Sequence, residues 1–470
     1  MLKYDAIFIN PFPGGAGLNE ATILHPLGLA YMAAVLEKNG YQAKIIDANV
    51  EGLTTEDVIK RIPPGSSFIG ISLNSFSYDS VLEIAKAIKD ASPESFIVLG
   101  GPLPSASPEM ILQEFPCHGI VRGEGELAVL KIVNNINSNT SPLDSQVPGA
   151  VFYDNSGQLV MNPLERIHDL DTLPFPAYHL LPPLKKYKVR SRQKPTASII
   201  TTRGCAYQCV FCSKDIFQRK VTFRSAENVL EEIDFLVTHY GVRQIDILDD
   251  NFMMKKDRVE AILDGLIKRD YGLSFNLQSG IRSEQVDEKI LFKMKKVGFY
   301  KLGFGVESAD PVVLKIVKKK LDLNHLFEVA QMAKKIGFEV YGFFIIGLPG
   351  ETEESYNRTI EFARKVDFDI ANFTMAIPFV GTELFKMVEN SGTFFVDTTK
   401  NINEGFYAGK VFYEYGDMKK EDVLRRYKMA YKEFYTLKKR LKLLFRIRSL
   451  DELSWFWDSA KFVLKGIFSK

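Results

Sequence analysis

Short apolar segments alternate with amphipathic segments through the first part of the chain. Residues 6–9 form an apolar run typical of a buried strand, and residues 27–39 have apolar positions at helical spacing and end at Gly40, a typical helix terminator. The alternation recurs at strand-like residues 43–46, 68–72, 96–99 and 119–121. Strands that alternate with helices predict a parallel, doubly wound (Rossmann-like) α/β domain, which we place at residues 1–142.

A second series of strands and helices follows a proline-rich stretch. Residues 143–194 contain turn residues at 154–157 that predict a hairpin, and then prolines typical of a linker. Six strand-like segments come next, at residues 197–200, 244–248, 274–277, 301–305, 340–346 and 371–375. They predict a partial (β/α)6 barrel of the TIM type over residues 195–395, with its active site at the carboxyl ends of the strands.

The remaining residues, 396–470, predict a helical C-terminal region. Its apolar positions fall on one helix face, at Val423, Leu424, Tyr427, Tyr431 and Phe434. A basic stretch with aromatic residues follows at residues 438–457. We expect a terminal helix that packs against the barrel and keeps its lysines in solvent, and peripheral contact with an anionic membrane surface is the alternative.

Charge and hydropathy limit the partners and the location. The 60 basic and 58 acidic residues give a net charge of +2, so no global field attracts nucleic acid, and we expect no nucleic-acid partner. The N-terminus lacks the pattern of a secretion signal, and no apolar run reaches the length of a membrane span. We therefore expect a cytoplasmic protein.

Three of the four cysteines lie within eight residues, directly after the first barrel strand, at Cys205, Cys209 and Cys212. The C-x3-C-x2-C spacing is typical of metal ligands and not of a disulfide framework, which favours a reducing compartment. Three thiolates can hold three irons of a 4Fe-4S cubane. The fourth iron then keeps an open position for the amino and carboxylate groups of a substrate.

A structural zinc site and plain buried thiols are the other interpretations of this triplet. Zinc would need a fourth Cys or His at short spacing. The candidates are Cys117 and His118, which lie far upstream, and His239, which is also distant. The spacing therefore favours the iron-sulfur cluster.

This segment, with the aromatic Phe211 before the third cysteine, resembles the cluster motif of radical S-adenosylmethionine (SAM) enzymes. The resemblance implies that the open iron binds SAM. It also implies that an external one-electron reductant of the flavodoxin or ferredoxin type feeds the cluster, which cleaves SAM to a 5′-deoxyadenosyl radical. The polypeptide would place that radical near a C–H bond and exclude water and oxygen.

The resemblance extends over residues 195–385 and implies SAM-binding roles for residues at strand ends. Together with the aromatic residue before the third cysteine, Phe211, they are Asp250, Asn251, Arg282, Glu307, Ser308 and Gly347. Asp250 and Asn251 match the segment that contacts the methionine amino group, and Arg282 matches a position used for the carboxylate. Glu307 and Ser308 match the ribose segment, and Gly347 lies in the motif near the adenine. Each match alone could be a helix cap, a solvated charge or a turn, but their order along the strand ends favours one site.

The first domain resembles the cobalamin-binding domain that precedes the barrel in one branch of this superfamily, which includes the anaerobic magnesium-protoporphyrin ester cyclase. Glycines at strand ends would let the backbone approach a large ring or a phosphate closely. The implied cobalamin-binding residues are Gly28, Asp47, Ser72, Gly100, Gly101, Gly123, Glu124 and Gly125. An α/β domain that binds no ligand is the alternative.

Two departures from this branch concern the lower face of the cobalt. His25 and Gly28 have the spacing of the D-x-H-x-x-G signature, but Ile23 replaces the aspartate that would orient the imidazole. Leu103 and Pro104 stand where many relatives carry a polar residue or a histidine. We therefore expect no histidine ligand to cobalt.

The resemblance implies methyl transfer to an unactivated carbon of a small-molecule or lipid-like substrate, with cobalamin as the methyl donor. Oxidative cyclisation or rearrangement without methyl transfer is one alternative. A non-catalytic cobalamin or iron-sulfur sensor or electron carrier is another. A tRNA methylthiotransferase fits less well, because its first domain would carry cysteines for a second cluster and only Cys117 is present there.

Overall fold

A seven-stranded sheet organises the amino-terminal part of the protein. The computed structural model describes residues 4–13, 22–400, 402–407 and 409–444. The strands of this sheet are β1 (Ala6–Asn10), β2 (Ala43–Asp47), β3 (Phe68–Ser72), β4 (Phe96–Gly100), β5 (Gly119–Val121), β6 (Ala150–Tyr153) and β7 (Leu159–Met161). Their order is β2-β1-β3-β4-β5-β6-β7, parallel through β5 and antiparallel beyond it.

Helices connect the parallel strands and bury them. They are α1 (Leu27–Lys38), α2 (Ala48–Glu51), α3 (Thr55–Arg61), α4 (Tyr78–Ala91), α5 (Pro102–Ala106), α6 (Pro108–Glu114) and α7 (Glu126–Asn137). Helix α1 packs against α7, and α3 packs against α4. Consecutive residues of β1 are fully buried, as expected of a parallel strand with helices over both faces. The doubly wound prediction is confirmed.

The predicted hairpin is part of this sheet, although the sequence assigns it to a linker. Strand β5 has only three residues, and its outer edge pairs with Ala150 and Val151 of β6, so the hairpin covers an edge that would otherwise expose backbone polar groups. Asn162 donates to the carbonyl oxygens of Asp144 and Val147 at 2.7 and 2.8 Å, which fixes the hairpin. The first compact unit therefore runs to Val189 and also takes in residues 213–218 and 398–403.

The second compact unit contains the predicted barrel. Its strands are β8 (Thr196–Ile199), β9 (Thr202–Arg203), β10 (Thr222–Phe223), β11 (Gln244–Ile247), β12 (Ser274–Leu277), β13 (Lys301–Glu307), β14 (Glu339–Ile346), β15 (Ile370–Met375), β16 (Gly392–Phe394) and β17 (Tyr413–Tyr415). Strands β8, β11 and β12 form one parallel sheet and β13, β14 and β15 another. Parallel bridges join Phe275 to Phe299 and Ile281 to Phe304. The six strands of the partial barrel are confirmed.

Helices alternate with these strands. They are α8 (Ala226–Tyr240), α9 (Lys256–Arg269), α10 (Glu288–Val297), α11 (Pro311–Ile316), α12 (Leu323–Ile336), α13 (Glu353–Val366) and α14 (Glu383–Ser391). The C-terminal region adds α15 (Ile402–Tyr407), α16 (Lys420–Phe434) and α17 (Leu437–Leu444). Five of the barrel helices end in a residue with left-handed backbone, which stops the helix and turns the chain into the next strand. These residues are Gly241, Asp270, Gly298, Gly337 and Asp367.

Helix α16 covers the edge of the barrel at β15. The Tyr435 hydroxyl accepts from the Ala371 amide at 3.1 Å and donates to the Ala371 carbonyl at 2.9 Å. The Tyr431 hydroxyl does the same with Phe373, at 3.3 and 2.8 Å. The predicted helical C-terminal region is therefore confirmed at α16, whereas the packing predicted for the basic stretch after it stays a prediction. The aromatic part of the basic stretch, residues 445–457, lies outside the described residues, and no helix in the described ranges could cross a membrane.

Candidate active site

The cysteine loop leaves the barrel at the carboxyl end of β8. The two-residue strands β9 and β10 pair in antiparallel fashion and close the base of this loop. Gly204 has φ +87°, a left-handed conformation that turns the chain immediately before the first cysteine. The following residues, 204–209, have neither helical nor strand hydrogen bonding.

Two aspartates at the end of β11 anchor this loop. The buried Asp249 carboxylate accepts from the Thr201 and Thr202 amides at 2.6 and 3.1 Å and also bonds the Thr201 hydroxyl. The exposed Asp250 carboxylate accepts from the Gly204 amide at 3.0 Å. Burial raises the pKa of Asp249, and the threonine bonds oppose that rise. Asp249 therefore holds the start of the loop.

The three clustered cysteines differ in exposure. Cys209 is buried, Cys205 is half-buried and Cys212 is exposed, and all are thiols without a disulfide. Within the described residues, no three His, Cys, Asp or Glu side chains lie close enough together to hold a metal ion. A thiol-only donor set on a loop without regular structure nevertheless fits an iron-sulfur cluster, because no helix or strand has to break for the sulfurs to converge. Phe211, predicted to contact SAM, is half-buried between the second and third cysteines.

Arg282, the predicted carboxylate ligand, is next to the cysteine loop. Its guanidinium lies 3.6 Å from the centre of the Tyr207 ring, and Tyr207 lies between the first two cysteines. The Glu284 carboxylate accepts from the same guanidinium at 2.5 and 3.2 Å. Arg282 is thus held by stacking and by an ion pair. Asn251 is buried, and its side chain caps the turn that follows β11 by accepting from the Met253 amide at 3.2 Å.

Glu307, in the predicted ribose segment, has a strained backbone with φ +62°. Its carboxylate pairs with the buried Lys319 ammonium at 2.9 Å. A Cβ atom at Gly305 would lie 2.7 Å from the carboxylate and 3.1 Å from the ammonium, so a larger residue there would displace the ion pair. The neighbouring Ser308 is buried, and its hydroxyl lies 3.3 Å from that of Thr359.

The loop after β14 begins at Gly347. This residue is buried with φ +83°, and its amide donates to the Glu351 carboxylate at 3.0 Å. The Tyr413 hydroxyl donates to its carbonyl at 2.6 Å. A Cβ atom at Gly347 would lie 2.8 Å from a Val423 methyl carbon, so α16 leaves room only for glycine.

The first unit offers a separate candidate site at the end of its sheet. The order β2-β1-β3 reverses the direction of winding between β1 and β3, and ligands of doubly wound sheets bind at that point. Ser72 ends β3 and Gly100 ends the neighbouring β4, and both are partly exposed. Gly28, in the first turn of α1, is exposed, and no atom lies within 4 Å of a Cβ added there. This arrangement fits a large ligand.

Asp47, at the end of β2, belongs to the interior of the unit. Its carboxylate accepts from the Tyr187 hydroxyl at 2.7 Å and from the Asn10 amide nitrogen at 2.8 Å. It also caps α2 through the Val50 amide. Burial raises the pKa of Asp47, and these hydrogen bonds oppose the rise. His25 stacks on the Tyr187 ring at 3.9 Å.

The remaining glycines predicted to bind cobalamin are packed against protein. Added Cβ atoms would lie 2.8 Å from the Leu73 carbonyl at Gly101, 2.5 Å from the Met32 sulfur at Gly125 and 3.1 Å from Leu164 at Gly123. The buried Glu124 carboxylate accepts from the Ile167 amide at 3.1 Å and pairs with Arg166 at 3.1 Å. These contacts give each residue a structural role, so Ser72, Gly100 and Gly28 are better placed for a ligand.

Several side chains in this unit could not be predicted from the sequence. Lys319 lies in a run of three lysines with nothing local to distinguish it, and Tyr207 is one of several loop residues between cysteines. Inside the barrel, the buried Asp246 accepts from Asn276 and Gln278 at 2.8 and 2.9 Å. Asp246, Asn276 and Gln278 could have been found from the sequence, because polar residues at alternate positions of an apolar strand face the same side of it.

Comparisons with known proteins identify the architecture. The Radical SAM superfamily matches residues 199–363, and the B12 binding domain matches residues 16–133. An uncharacterized methyltransferase of Pyrococcus horikoshii is 35% identical over 366 residues, which cover 77% of this chain and 78% of that protein. This chain belongs to the radical SAM superfamily. It is a radical SAM enzyme with an amino-terminal B12-binding domain, and such enzymes use a 4Fe-4S cluster, SAM and cobalamin.

Two further relatives of this radical SAM enzyme carry different activities in their names. Cytidylyl-2-hydroxyethylphosphonate methyltransferase of Streptomyces wedmorensis is 29% identical and covers 80% of each chain. Anaerobic magnesium-protoporphyrin IX monomethyl ester cyclase of Rubrivivax gelatinosus is also 29% identical, over 81% of this chain and 69% of that protein. The solved structure of the cobalamin-dependent radical enzyme OxsB superposes with a TM-score of 0.75 at 17% identity, over 99% of this chain and 72% of that one. This likeness confirms the fold.

Proposed function

We propose that this enzyme transfers a methyl group from cobalamin to an unactivated carbon of a small-molecule substrate. The observation that carries the proposal is the joining, in one chain, of a B12-binding domain to a radical SAM barrel. Relatives named as methyltransferases, at 35% and 29% identity, share most of the length of the chain and support it. The two cofactor systems have complementary chemistry for this reaction.

When bound, the cluster and SAM supply a 5′-deoxyadenosyl radical, and cobalamin supplies a methyl group. In the proposal, Cys205, Cys209 and Cys212 hold the cluster as thiolates. Asp249 and Asp250 keep the loop that carries them at the end of the barrel, through the threonine and glycine amides. A fixed loop is what a reaction at one C–H bond needs, because a displaced radical would react elsewhere.

The SAM-binding roles of the strand ends are part of the same proposal. Arg282, held beside the loop by Tyr207 and Glu284, would receive the carboxylate, and Glu307 would receive the ribose hydroxyls. Gly347 would begin the loop beside the adenine, with its backbone held by Tyr413 and Glu351. Asp250, Asn251, Ser308 and Phe211 would complete the pocket.

A cobalamin site at the sheet end of the first unit is proposed around Gly28, Ser72 and Gly100. His25 is not a candidate ligand to cobalt in this proposal. The residue is buried against Tyr187, and burial lowers the pKa of its imidazole to about 3. The lower face would then take water or a group other than histidine.

The proposal extends to the electron donor of the cluster. A one-electron reductant of the flavodoxin or ferredoxin type, in a reducing cytoplasm, would reduce the iron-sulfur cluster.

A lipid-like substrate would suit membrane contact through the basic tail. In α17, Leu437 is 75% exposed and Leu441 is 49% exposed, one turn apart and flanked by basic residues. Cosedimentation with anionic vesicles should then fall when residues 438–470 are removed, and equal cosedimentation would reject this contact.

Oxidative cyclisation is the second candidate, because the cyclase of Rubrivivax gelatinosus matches 81% of this chain. The two reactions leave different products. A methylase consumes one SAM for the radical and one to remethylate cobalamin, so it releases 5′-deoxyadenosine and S-adenosylhomocysteine together. A cyclase releases 5′-deoxyadenosine without S-adenosylhomocysteine.

The experiment is anaerobic reconstitution with iron, sulfide and hydroxocobalamin, followed by incubation with SAM and a strong reductant. We expect both nucleoside products in wild type. Omission of cobalamin should remove S-adenosylhomocysteine and leave 5′-deoxyadenosine, which separates the two cofactor systems. Production of 5′-deoxyadenosine alone under all conditions would favour the cyclase, and absence of both products would reject the enzymatic proposal in favour of a sensor or electron carrier.

A further inference from the structure

Helix α16 and strand β17 hold the loop after β14 from outside the residues that match the Radical SAM superfamily. The Radical SAM superfamily match ends at residue 363, whereas α16 begins at Lys420. Three contacts nevertheless converge on this loop from the C-terminal region. They come from Tyr413, Val423 and Arg426.

The first two contacts restrain Gly347. Its carbonyl accepts from the buried Tyr413 hydroxyl, and its α-carbon packs against Val423 with no room for a side chain. Its amide donates to Glu351 of the same loop. The amide, the carbonyl and the α-carbon of Gly347 are therefore all in contact with protein. Its left-handed backbone cannot change conformation without breaking these contacts.

The third contact secures Glu351. Arg426 is buried, and its guanidinium donates to the Glu351 carboxylate at 3.2 Å and to the Glu353 carboxylate at 3.1 Å. Burial raises the pKa of Glu351 to about 7, while the Gly347 amide and Arg426 favour its ionised form. A buried carboxylate that lost Arg426 would carry a charge without compensation, so the Gly347 bond depends on this arginine.

We propose that Arg426 is a positioning residue that holds the SAM-binding loop at Gly347 through Glu351. The inference rests on the proposed function, in which that loop binds the adenine. It also assigns a task to α16 that covering β15 does not explain. The tyrosines at 431 and 435 already fix the helix on the strand, and Arg426 lies one to two turns before them, against the loop.

The chain contains a matched control beside this residue. Arg425 is about half exposed and pairs with Glu353 at 2.6 Å and with Asp422 at 3.3 Å. It has no hydrogen bond to Glu351 in the described part of the chain. Arg425→Met therefore removes an equal charge from the same helix turn while the buried contact stays.

The test compares Arg426→Met with Arg425→Met in the reconstituted holoenzyme. One readout is hydrogen exchange of the peptide that covers residues 345–352, which needs no turnover. The other is the KM for SAM in reductive cleavage, taken separately from kcat. In Arg426→Met we expect faster exchange and a KM raised roughly 10-fold to 100-fold, by analogy with the loss of a residue that supports a metal ligand. Arg425→Met should match wild type in both.

Arg426→Lys keeps the test decisive if Arg426→Met folds poorly, and a double variant tests whether Arg426 acts through Glu351. Arg426→Lys retains the charge but not the two-pronged geometry, so an intermediate KM is expected. In a Glu351→Gln background, Arg426→Met should add little to the KM, because both residues act on the same bond. Additive effects would overturn the inference.

The inference and the proposed function fail in different ways. If wild type cleaves SAM and Arg426→Met matches Arg425→Met in exchange and KM, the inference is wrong and the function stands. If wild type does not cleave SAM, equilibrium dialysis of SAM against the same proteins still decides. Weaker binding with faster exchange in Arg426→Met supports the inference, and unchanged binding overturns it.

Discussion

His25 shows how the meaning of a motif residue depends on its surroundings. Its spacing to Gly28 suggests a metal ligand, whereas the structure stacks it on Tyr187 with 3% of its surface exposed. Burial lowers the pKa of the imidazole to about 3, below the 6.5 expected in the unfolded chain. The folded state therefore binds fewer protons than the unfolded state between these values, and stability falls as the pH drops through that window.

We predict that the first unit loses about 1.4 kcal/mol of stability for each pH unit below 6.5 on account of this residue. His25→Phe keeps an aromatic ring and should flatten the dependence. Thermal unfolding between pH 7.5 and 5 measures the effect. His168→Phe, at an exposed position in the same unit, is the control, and a similar flattening there would contradict the assignment.

Lys319 is a second residue whose role depends on the fold. We predict that Lys319→Met destabilises the barrel by about 1–3 kcal/mol, because it leaves the half-buried Glu307 carboxylate without its partner charge. Urea unfolding measures the loss, and Lys320→Met, at an exposed position next to it, should change stability by about 0.5 kcal/mol or less. Equal losses in the two variants would mean that the pair contributes no stability of its own.

Among single residues, the role of the three clustered cysteines could be predicted from the sequence, because three thiols at such short spacing rarely do anything but bind metal. The strained Glu307 and its ammonium partner could not. The ion pair needs the space that Gly305 leaves and the ammonium of Lys319, twelve residues after Glu307. These residues come together only when β13 and α11 pack.

The tyrosine contacts of α16 show how an edge strand is covered without another strand. Tyr431 and Tyr435 are four residues apart, and Ala371 and Phe373 are two apart, so one helix turn matches one strand repeat. Each hydroxyl satisfies one amide and one carbonyl of β15. A phenylalanine in either place would leave those groups without that partner.

We predict that Tyr431→Phe and Tyr435→Phe each lower the free energy of unfolding by about 1–3 kcal/mol, since each removes hydrogen bonds to partly buried backbone groups. Chemical denaturation is the measurement. Tyr427→Phe, on the same helix, is the control because its hydroxyl bonds no β15 backbone group within the described residues. A loss at Tyr427 as large as those at the other two would show that the effect comes from the helix and not from these bonds.

Elements with strong periodicity could be predicted from the sequence, and the six barrel strands and the parallel strands β1–β5 are examples. The attachment of the hairpin could not, because β6 pairs with a strand about thirty residues earlier and pairing partners leave no local pattern. The two-residue strands β9 and β10 could not be predicted either, because two residues are too few to show an alternation of polar and apolar positions.

The chain forms two compact units, and each contains nearly all of the residues of one matched cofactor-binding family. A ligand that binds only folded protein stabilises the unit that binds it, by about 2.7 kcal/mol at 100 times its dissociation constant. We predict that hydroxocobalamin protects the first unit and that SAM, with the cluster present, protects the second. Hydrogen exchange of peptides from each unit measures this.

Peptides from β3 and β4 should respond to cobalamin, and peptides from β13 and β14 to SAM. The same protein without hydroxocobalamin and without SAM serves as the unliganded reference. Protection by cobalamin confined to the barrel peptides would contradict the assignment of the first unit as the B12-binding domain.

The central claim is that three thiols hold an iron-sulfur cluster, and iron content after anaerobic reconstitution tests it most directly. Wild type should retain about four irons per chain with matching sulfide. The triple variant Cys205→Ala, Cys209→Ala, Cys212→Ala should lose them, while Cys117→Ala, which changes a half-buried thiol of the first unit, should keep them. A triple variant with the full iron complement of wild type would contradict the account.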